Sequence, residues 1–479
     1  MTSPAVHLST ILALGLLLRL AFLTRVPVFL LRDSGGYHLP AWDLVNGLGF
    51  DISPRRTPGY PIFLAGLIEF GGEDLYVIAL AQHLLGLLVA GLTYIIGRRL
   101  FSPPIAFVAA LLVSLEGTLL VAEHYVMPET VFTVFVLLST WLMLRARDRS
   151  SWRLTFAVGL SIGIATLIRP VGLVLGPVAV LALLFTHTAW TRRAMTIGIL
   201  AAGVGLIVLP WLARNAIVLG QPSMSTTLPK SLLARTAKHD HGFTFFNQAQ
   251  AEQYGDRREA QARQIIQSAI NQRLSDGEIY DRLSERLRLS EPEVDRLLRD
   301  LTTQVIRQRP IYFVQGSAGF VWELLVGDVE HLRTDWKTQN ARLSRDEWED
   351  RVGHLLRKAS PLQEAEFPTS EALVDLVQPS RLGPILPILA GLGALLAVGR
   401  VGLYGLIPAL VPLLLITVPA TLDGPVARYR YPADPLMMLL AVGSLTAVAA
   451  LIRAARYERI ALPGRHSATS ARQPVAEGP

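Results

Sequence analysis

Long apolar runs separated by short polar links dominate the chain. Ten of them, near residues 8–24, 76–97, 104–122, 130–146, 154–169, 171–187, 194–213, 382–399, 401–420 and 432–452, approach the ~20 residues that a bilayer-spanning helix needs. Several are short or contain Pro and Gly, so one or two of them read as half-helices. The pattern predicts an all-α polytopic membrane protein with about ten or more spans.

One long polar stretch, about 214–380, interrupts this pattern. Within it, Ser275 with Glu278 and Ser290 with Glu293 have capping-box spacing, which marks helix starts. Amphipathic helices follow, so the stretch reads as a mainly helical soluble domain. Its likeness to a DNA-reading helix-turn-helix is superficial, because a reader outside the cell would have no ligand. Residues 311–328, "IYFVQGSAGFVWELLVGD", are apolar but short and are expected to lie at the interface. Were they to span, everything after them would invert.

Composition sharpens the class. Only 17% of the 479 residues are charged, against about a quarter in soluble domains, and the mean hydropathy is +0.39. The formal charge of +7 comes from arginines placed beside apolar runs, as membrane orientation and anionic headgroups require, so no nucleic-acid partner is expected. With no cysteine, disulfides, thiolate metal sites and cysteine nucleophiles are excluded. Residues 8–23 lack a basic leader and a small-x-small cleavage site, and Arg19 interrupts them; they read as a retained helix with Arg19 snorkelling from one end.

With a cytoplasmic N-terminus, twelve arginines of the short loops and tail fall inside (Arg98, Arg99, Arg145, Arg147, Arg149, Arg153, Arg192, Arg193, Arg400, Arg453, Arg456, Arg459). Seven fall outside (Arg25, Arg32, Arg55, Arg56, Arg169, Arg428, Arg430), and these need a reason other than orientation. The expected division is a transmembrane catalytic region 1–213 with outer loops 25–75 and 123–129, an extracytoplasmic domain 214–380, transmembrane helices 381–455 and a polar cytoplasmic tail 456–479. No fixed-period repeat is visible.

In this scheme the polar oddities share one face. Asp33, Tyr37 and His38 lie in the first outer loop, ahead of "RRTPGYP" with Arg55, Arg56 and Tyr60; Glu123, His124 and Glu129 lie in the second, with Glu116 deeper. Arg169 of "LIRP", Arg214 and Asn215 of "PWLARN", and Arg428, Tyr429 and Arg430 of "RYRYP" complete the set. Acids converging with arginines describe a pocket for an anionic headgroup with a base inside it, since guanidinium forks match phosphate oxygens. Taken singly, each has a plainer reading. Asp33 could be a headgroup-solvated helix end, Glu129 an acid favoured at a helix start, and Glu116 a wetted span end. Asp33, His38, Glu123 and His124 are weak metal candidates, without ligand spacing on one helix. Gln82 and His83, mid-span, must face other helices.

"DSGGY", then an arginine with "PGYP", then "PETVF", "LIRP", "PWLARN" and "RYRYP" together resemble the membrane glycosyltransferases of GT-C fold. Most similar is the bacterial dolichyl-phosphate-mannose-protein mannosyltransferase-like group that includes the lipid A aminoarabinose transferases. The resemblance covers residues 1 to about 225 and 380 to 455. It implies a GT-C helical bundle, Asp33 as the base toward an acceptor hydroxyl, and Glu129 as a second acid. Arg55, Arg56, Tyr37, Tyr60, Arg169, Arg214, Asn215, Arg428 and Arg430 would bind donor phosphate or substrate. Relatives often carry an Asp-Glu pair at the first motif, whereas Ser34 follows Asp33 here; roles that need two adjacent carboxylates, shared metal binding included, are weakened.

Displacing a polyprenyl phosphate from an anomeric carbon needs a deprotonated nucleophile and a stabilised leaving phosphate, which a carboxylate and preorganised arginines supply. One base and one displacement imply inversion. The expected partners are a polyprenyl-phosphate-linked sugar, a protein, lipid or glycan acceptor, and membrane lipids; a divalent cation is the one candidate cofactor. The expected location is a bacterial inner membrane, with the site on its extracytoplasmic face. A lipid-linked glycan flippase would instead place polar residues along mid-membrane spans with internal repeats. An O-antigen ligase or polymerase uses lipid diphosphates and arginine-dominated motifs, and a non-catalytic scaffold would need neither Asp33 nor the outer arginines.

Overall fold

The computed structural model describes residues 3–26, 28, 30, 33–184, 189–239, 257–272, 274, 276–327 and 372–445. Among the described residues it is all-helical, with no strand. Ser275, Arg32 and the tail 456–479 lie outside them, as do Arg453 and the residues of the middle stretch between 328 and 371.

Over their described residues all ten predicted runs are helical: α1 (Pro4–Leu23), then α4 (Leu75–Leu100) after two short helices, the pair α5 (Pro103–Leu115) and α6 (Gly117–His124), α7 (Glu129–Arg149), α8 (Trp152–Ile168), α9 (Leu175–Leu184) and α10 (Trp190–Leu219). Beyond the middle region come α16 (Ile385–Val401), α17 (Ile407–Leu422) and α18, described over Asp434–Leu445. Five stretches are long and apolar enough to cross a membrane by themselves, or six with the bent α5–α6 pair. The others, α8, α9 and α18, are shorter apolar helices, though α18 is described only to Leu445.

Local chemistry turns the chain between them. Gly402, at φ +73°, stops α16 in a conformation that favours glycine. Gly405 then lies so close that a Cβ would stand 2.4 Å from the Ala397 carbonyl carbon, folding the chain back. Gly172 does the same against Ala165 at the end of α8. Helices α8 and α10 meet through Gly159 and Gly203, whose Cβ atoms would stand 2.4 Å from the Leu200 oxygen and 2.6 Å from the Phe156 oxygen. Small residues allow such close backbone approach where no water drives helices together.

The first outer loop is more structured than its polarity suggests. It folds into α2 (Gly35–Val45) and α3 (Gly59–Gly71), and the start of α3 packs on the backbone of Leu167 at Gly59. The second, 123–129, is buried rather than open. Glu116, expected as a wetted span end, is 2% exposed and caps α6 by accepting from the Leu119 amide at the 46° bend. Bending there frees the Gly117 amide, which donates to the Val377 carbonyl at 2.9 Å.

The middle region builds a separate core from α11 (Thr227–Leu233), α12 (Arg257–Asn271), α13 (Asp276–Leu287) and α14 (Glu291–Gln308). Ile266, Ile279, Leu283, Leu298 and Leu301 are fully buried there, each worth about 1.5–3 kcal/mol. Ser290 and Glu293 form the predicted capping box. Helix α15 (Pro310–Val326) holds the short apolar stretch; it falls outside the spans and packs against α17.

The α8–α10 contact makes a direct prediction. Gly203→Leu should cost about 1–3 kcal/mol through overpacking, read as a lower thermal midpoint of detergent-solubilised protein. Gly198→Leu on the same helix, where nothing lies within 4 Å, should leave the midpoint unchanged.

Candidate active site

Because the spans alternate in direction, the ends of α1, α6, α8 and α17 and the starts of α2, α3, α7 and α18 gather at one end of the bundle. The opposite end carries an Arg99–Asp148 ion pair at 2.8 Å and the Arg147 guanidinium over the Tyr404 ring.

Asp33, just before α2, is held from both sides. Arg56 donates to Oδ1 at 2.7 Å and Arg428 to Oδ2 at 2.9 Å. The first ligand comes from the turn ahead of α3 and the second from the loop ahead of α18, so this contact joins the two ends of the sequence. Arg56 also donates to the Tyr37 hydroxyl at 2.9 Å and stacks over its ring at 4.6 Å. Tyr37 in turn meets the buried Tyr60 edge-on at 5.3 Å. Tyr60 donates to Gln82, which ties down the carbonyls of Glu123 and Tyr125.

A second pair stands beside the first. Arg169, at the extended end of α8, donates to Glu129 Oε1 at 2.7 Å. Its guanidinium lies 5.6 Å from the Tyr429 ring, and Tyr429 donates to Asp423. Two buried polar atoms here have no hydrogen-bond partner among the described residues: Glu129 Oε2, an acceptor, and Arg428 Nε, a donor. Glu129 Oε2 belongs to a residue lining a narrow cavity, shared with Glu123, Thr130, Thr133 and Tyr431, with room for about one water.

The electrostatics follow from pairing. Burial alone would raise the Asp33 carboxyl, but Arg428 and Arg56 together hold it well below the usual carboxylate range. Burial works against charge on Arg428, yet the charges of Asp33 and Glu129 raise it above its ordinary value. Asp33 stays ionised under ordinary conditions. The stability from its pairing is full above about 3.9, the unfolded carboxylate value, and is lost as pH falls through the lowered one.

Other candidates sit elsewhere. Arg55 stacks on Tyr280 of α13 at 4.6 Å, tying the first loop to the middle domain. Arg214 donates to Asn215 at 3.0 Å, and Asn215 donates to the Ser223 carbonyl at 2.7 Å, fixing the turn after α10. Arg430, 2% exposed, pairs with Asp434 and donates to the Gly327 carbonyl at 3.1 Å, holding the end of α15. His38 is fully buried.

Arg19 does not snorkel. It is 2% exposed and donates to Glu123 Oε1 at 2.6 Å and to the Ser114 carbonyl at 2.8 Å. A charge that reaches an interior carboxylate has no need of the interface. Among the described residues no group of three His, Asp or Glu converges to hold a metal. Each Asp33 oxygen takes an arginine, so the candidate metal donors do not fit a cation cradle, and no step is routed through one.

Residues 55–213, about a third of the chain, match the family described as dolichyl-phosphate-mannose-protein mannosyltransferase. That span holds Arg56, Tyr60, Glu129 and Arg169, and Asp33 and Arg428 flank it. Among solved structures, the archaeal oligosaccharyltransferase AglB of Archaeoglobus fulgidus, in complex with an inhibitory peptide and a dolichol-phosphate, is 13% identical with a TM-score of 0.47, covering 97% of this chain and 52% of its own. ArnT of Cupriavidus metallidurans, bound to undecaprenyl phosphate, is 14% identical with a TM-score of 0.40, covering 92% and 78%. The chain thus spans about half the length of AglB. No curated protein matches it.

Arg169→Ala would leave Glu129 buried and uncompensated, a loss of about 3–5 kcal/mol seen as a lower thermal midpoint. Adding Glu129→Gln should restore most of it, since the amide carries no charge to desolvate.

Proposed function

We propose that the protein is an inverting glycosyltransferase that moves a sugar from a polyprenyl phosphate to an acceptor hydroxyl on the non-cytoplasmic face of the membrane. The observation that carries this reading is Asp33 gripped between Arg56 and Arg428, beside a buried Arg428 Nε–H and a Glu129 oxygen that both lack partners among the described residues. Buried polar atoms are normally satisfied, and these two are the right types for a phosphate oxygen and a sugar or acceptor hydroxyl.

The resting ion pair sets the order of events. A carboxylate with a guanidinium on each oxygen is a weak base. The donor's phosphate diester competes for those guanidinium groups, which bind phosphate in the same fork geometry. As Arg428 and Arg56 turn to the phosphate, Asp33 loses its counter-charges and becomes a stronger base. The acceptor hydroxyl then hydrogen-bonds to Asp33 and its oxygen attacks the anomeric carbon from the side opposite the phosphate. The new C–O bond forms as the carbon–phosphate-oxygen bond breaks. The hydroxyl proton passes to Asp33, and the electron pair leaves on the lipid phosphate, where the arginines stabilise it. Glu129, its other oxygen fixed by Arg169, offers its second oxygen to a hydroxyl of the bound sugar.

The non-cytoplasmic placement rests on the arginine distribution and on the alternation of spans, which sends all these residues to one end. The outer helical domain, reached through Arg55 and Tyr280, stands where an acceptor would dock.

Asp33→Asn should abolish sugar transfer in isolated membranes, by about 10²-fold or more, while polyprenyl-phosphate binding is retained. Transfer near the wild-type rate in that variant would remove Asp33 as the base. A reporter fused after Arg149 should read cytoplasm and one fused after Gly220 the outside; the reverse would move the site to the other face.

A further inference from the structure

The loop that carries Arg56 is held by the turn through which the chain enters α11. Residues 53–56 form a β-turn in which the Arg56 amide donates to the Ser53 carbonyl at 2.8 Å. Pro54 stands at the second position, where its fixed φ suits such a turn. The Arg55 carbonyl accepts from the Thr227 hydroxyl at 2.7 Å, and the Pro54 carbonyl accepts from the Thr226 amide at 3.0 Å. The Arg55 carbonyl and the Arg56 amide belong to one peptide unit, which is planar and stiff. Bonds at both of its polar atoms therefore fix the plane that leads into Arg56.

One residue further on, the Thr57 hydroxyl donates to the Ile168 carbonyl at 3.1 Å. Arg56 is thus clamped between the start of α11 and the end of α8, and its guanidinium meets Asp33 at 2.7 Å and Tyr37 at 2.9 Å. A long side chain magnifies any rotation of its backbone, and a binding group held loosely binds less well.

The other partner is equally well placed. Trp211 Nε1 donates to the Met224 carbonyl at 3.0 Å and Asn215 Nδ2 to the Ser223 carbonyl at 2.7 Å, so the end of α10 fixes the turn just ahead of Thr227. A threonine at a helix start ordinarily serves its own helix. Here the Thr226 side chain makes no cap bond, and the Thr227 hydroxyl is spent on a carbonyl 172 residues earlier in the chain.

We infer that Thr227 is a positioning residue for the phosphate site: its hydroxyl fixes the peptide plane of Arg56, and with it the guanidinium that takes the donor's phosphate. Trp211 and Asn215 act one step back, by holding the turn that presents Thr227. The motif "PWLARN" thereby serves the phosphate through the backbone of Arg56 and not by touching it.

This inference rests on reading Arg56, with Asp33 and Arg428, as the phosphate site, and the test keeps the two apart. Full-length protein in nanodiscs is titrated with undecaprenyl phosphate, a sugar-free probe, in a double-mutant cycle. Thr227→Val removes the hydroxyl and should weaken binding about fivefold, the equivalent of one hydrogen bond. Thr227→Ser keeps the hydroxyl and should bind as wild type does. Arg56→Ala should weaken binding about tenfold or more, a charged hydrogen bond being lost, with Arg428 left to hold the probe. In the Arg56→Ala background Thr227→Val should have no further effect, because the two residues act as one unit.

If Thr227→Val binds as wild type does while Arg56→Ala does not, the site stands and the positioning role is overturned. A loss from Thr227→Val that persists in full in Arg56→Ala also overturns it, since simple attachment of the middle domain gives that result. If Arg56→Ala itself binds as wild type does, the phosphate-site reading is wrong and the inference falls with it. Should Thr227→Val fail to fold, Thr227→Ala, which puts no branched side chain at the helix start, enters the same cycle with the same deciding outcomes.

Discussion

The structure depends on one constraint: a charge removed from water must meet its opposite. Each carboxylate at the site end of the bundle that lies near a cation is paired with it, Asp33 with Arg56 and Arg428, Glu129 with Arg169, Asp434 with Arg430, Glu123 with Arg19. All of these pairs except Arg430–Asp434, four residues apart, cross long sequence distances. The Asp33–Arg428 contact ties the first loop to the segment before the last described helix, and Arg430 ties that segment to the end of α15. Since desolvation offsets much of the attraction, such pairs add little net stability, whereas breaking one is costly. They act as registers that decide which loops meet.

The pairs divide into two kinds. Around Arg430, Arg19 and Asn215 the hydrogen bonds go to backbone carbonyls as well as side chains, and those residues fix helices and turns. Around Asp33, Arg428, Arg56 and Glu129 the bonds run between side chains; a donor and an acceptor are left over there, but Arg19 Nε is left over too, so the bond partners and not the spare atoms separate the two kinds. That difference separates residues that anchor the backbone from those of the proposed site. It also gives a role to five of the seven arginines expected to oppose the orientation rule. Arg56, Arg169 and Arg428 balance carboxylates, Arg430 anchors a helix end, and Arg55 reaches the middle domain.

Much of the fold was legible in the sequence, because a bilayer imposes length and apolarity on every span. Over their described residues all ten runs are helical, and the described part of the middle stretch carries its own helical core with the Ser290 capping box. Within the site, Asp33 and Arg56 were legible through "DSGGY" and "RRTPGYP", and Arg428 through its place outside the rule. Side-chain partners were not legible. Nothing local tells that Arg19 turns inward to Glu123 or that Arg214 serves only the turn after α10, since both depend on helix packing. Gln82 and His83 were a partial signal. Polar residues in mid-span had to face helices, but which ones is a matter of three dimensions. The burial of "EHYVMPE" was hidden because its charges suggest an exposed loop until their partners are known.

The central claim is that a donor's phosphate replaces Asp33 on the two arginines. The most direct measurement is an experimental structure of the protein with a bound polyprenyl phosphate. The account predicts phosphate oxygens at about 2.7–2.9 Å from the guanidinium nitrogens of Arg428 and Arg56, with Asp33 released from at least one of them. A phosphate bound away from both arginines, with the Asp33 pairs intact, would contradict it.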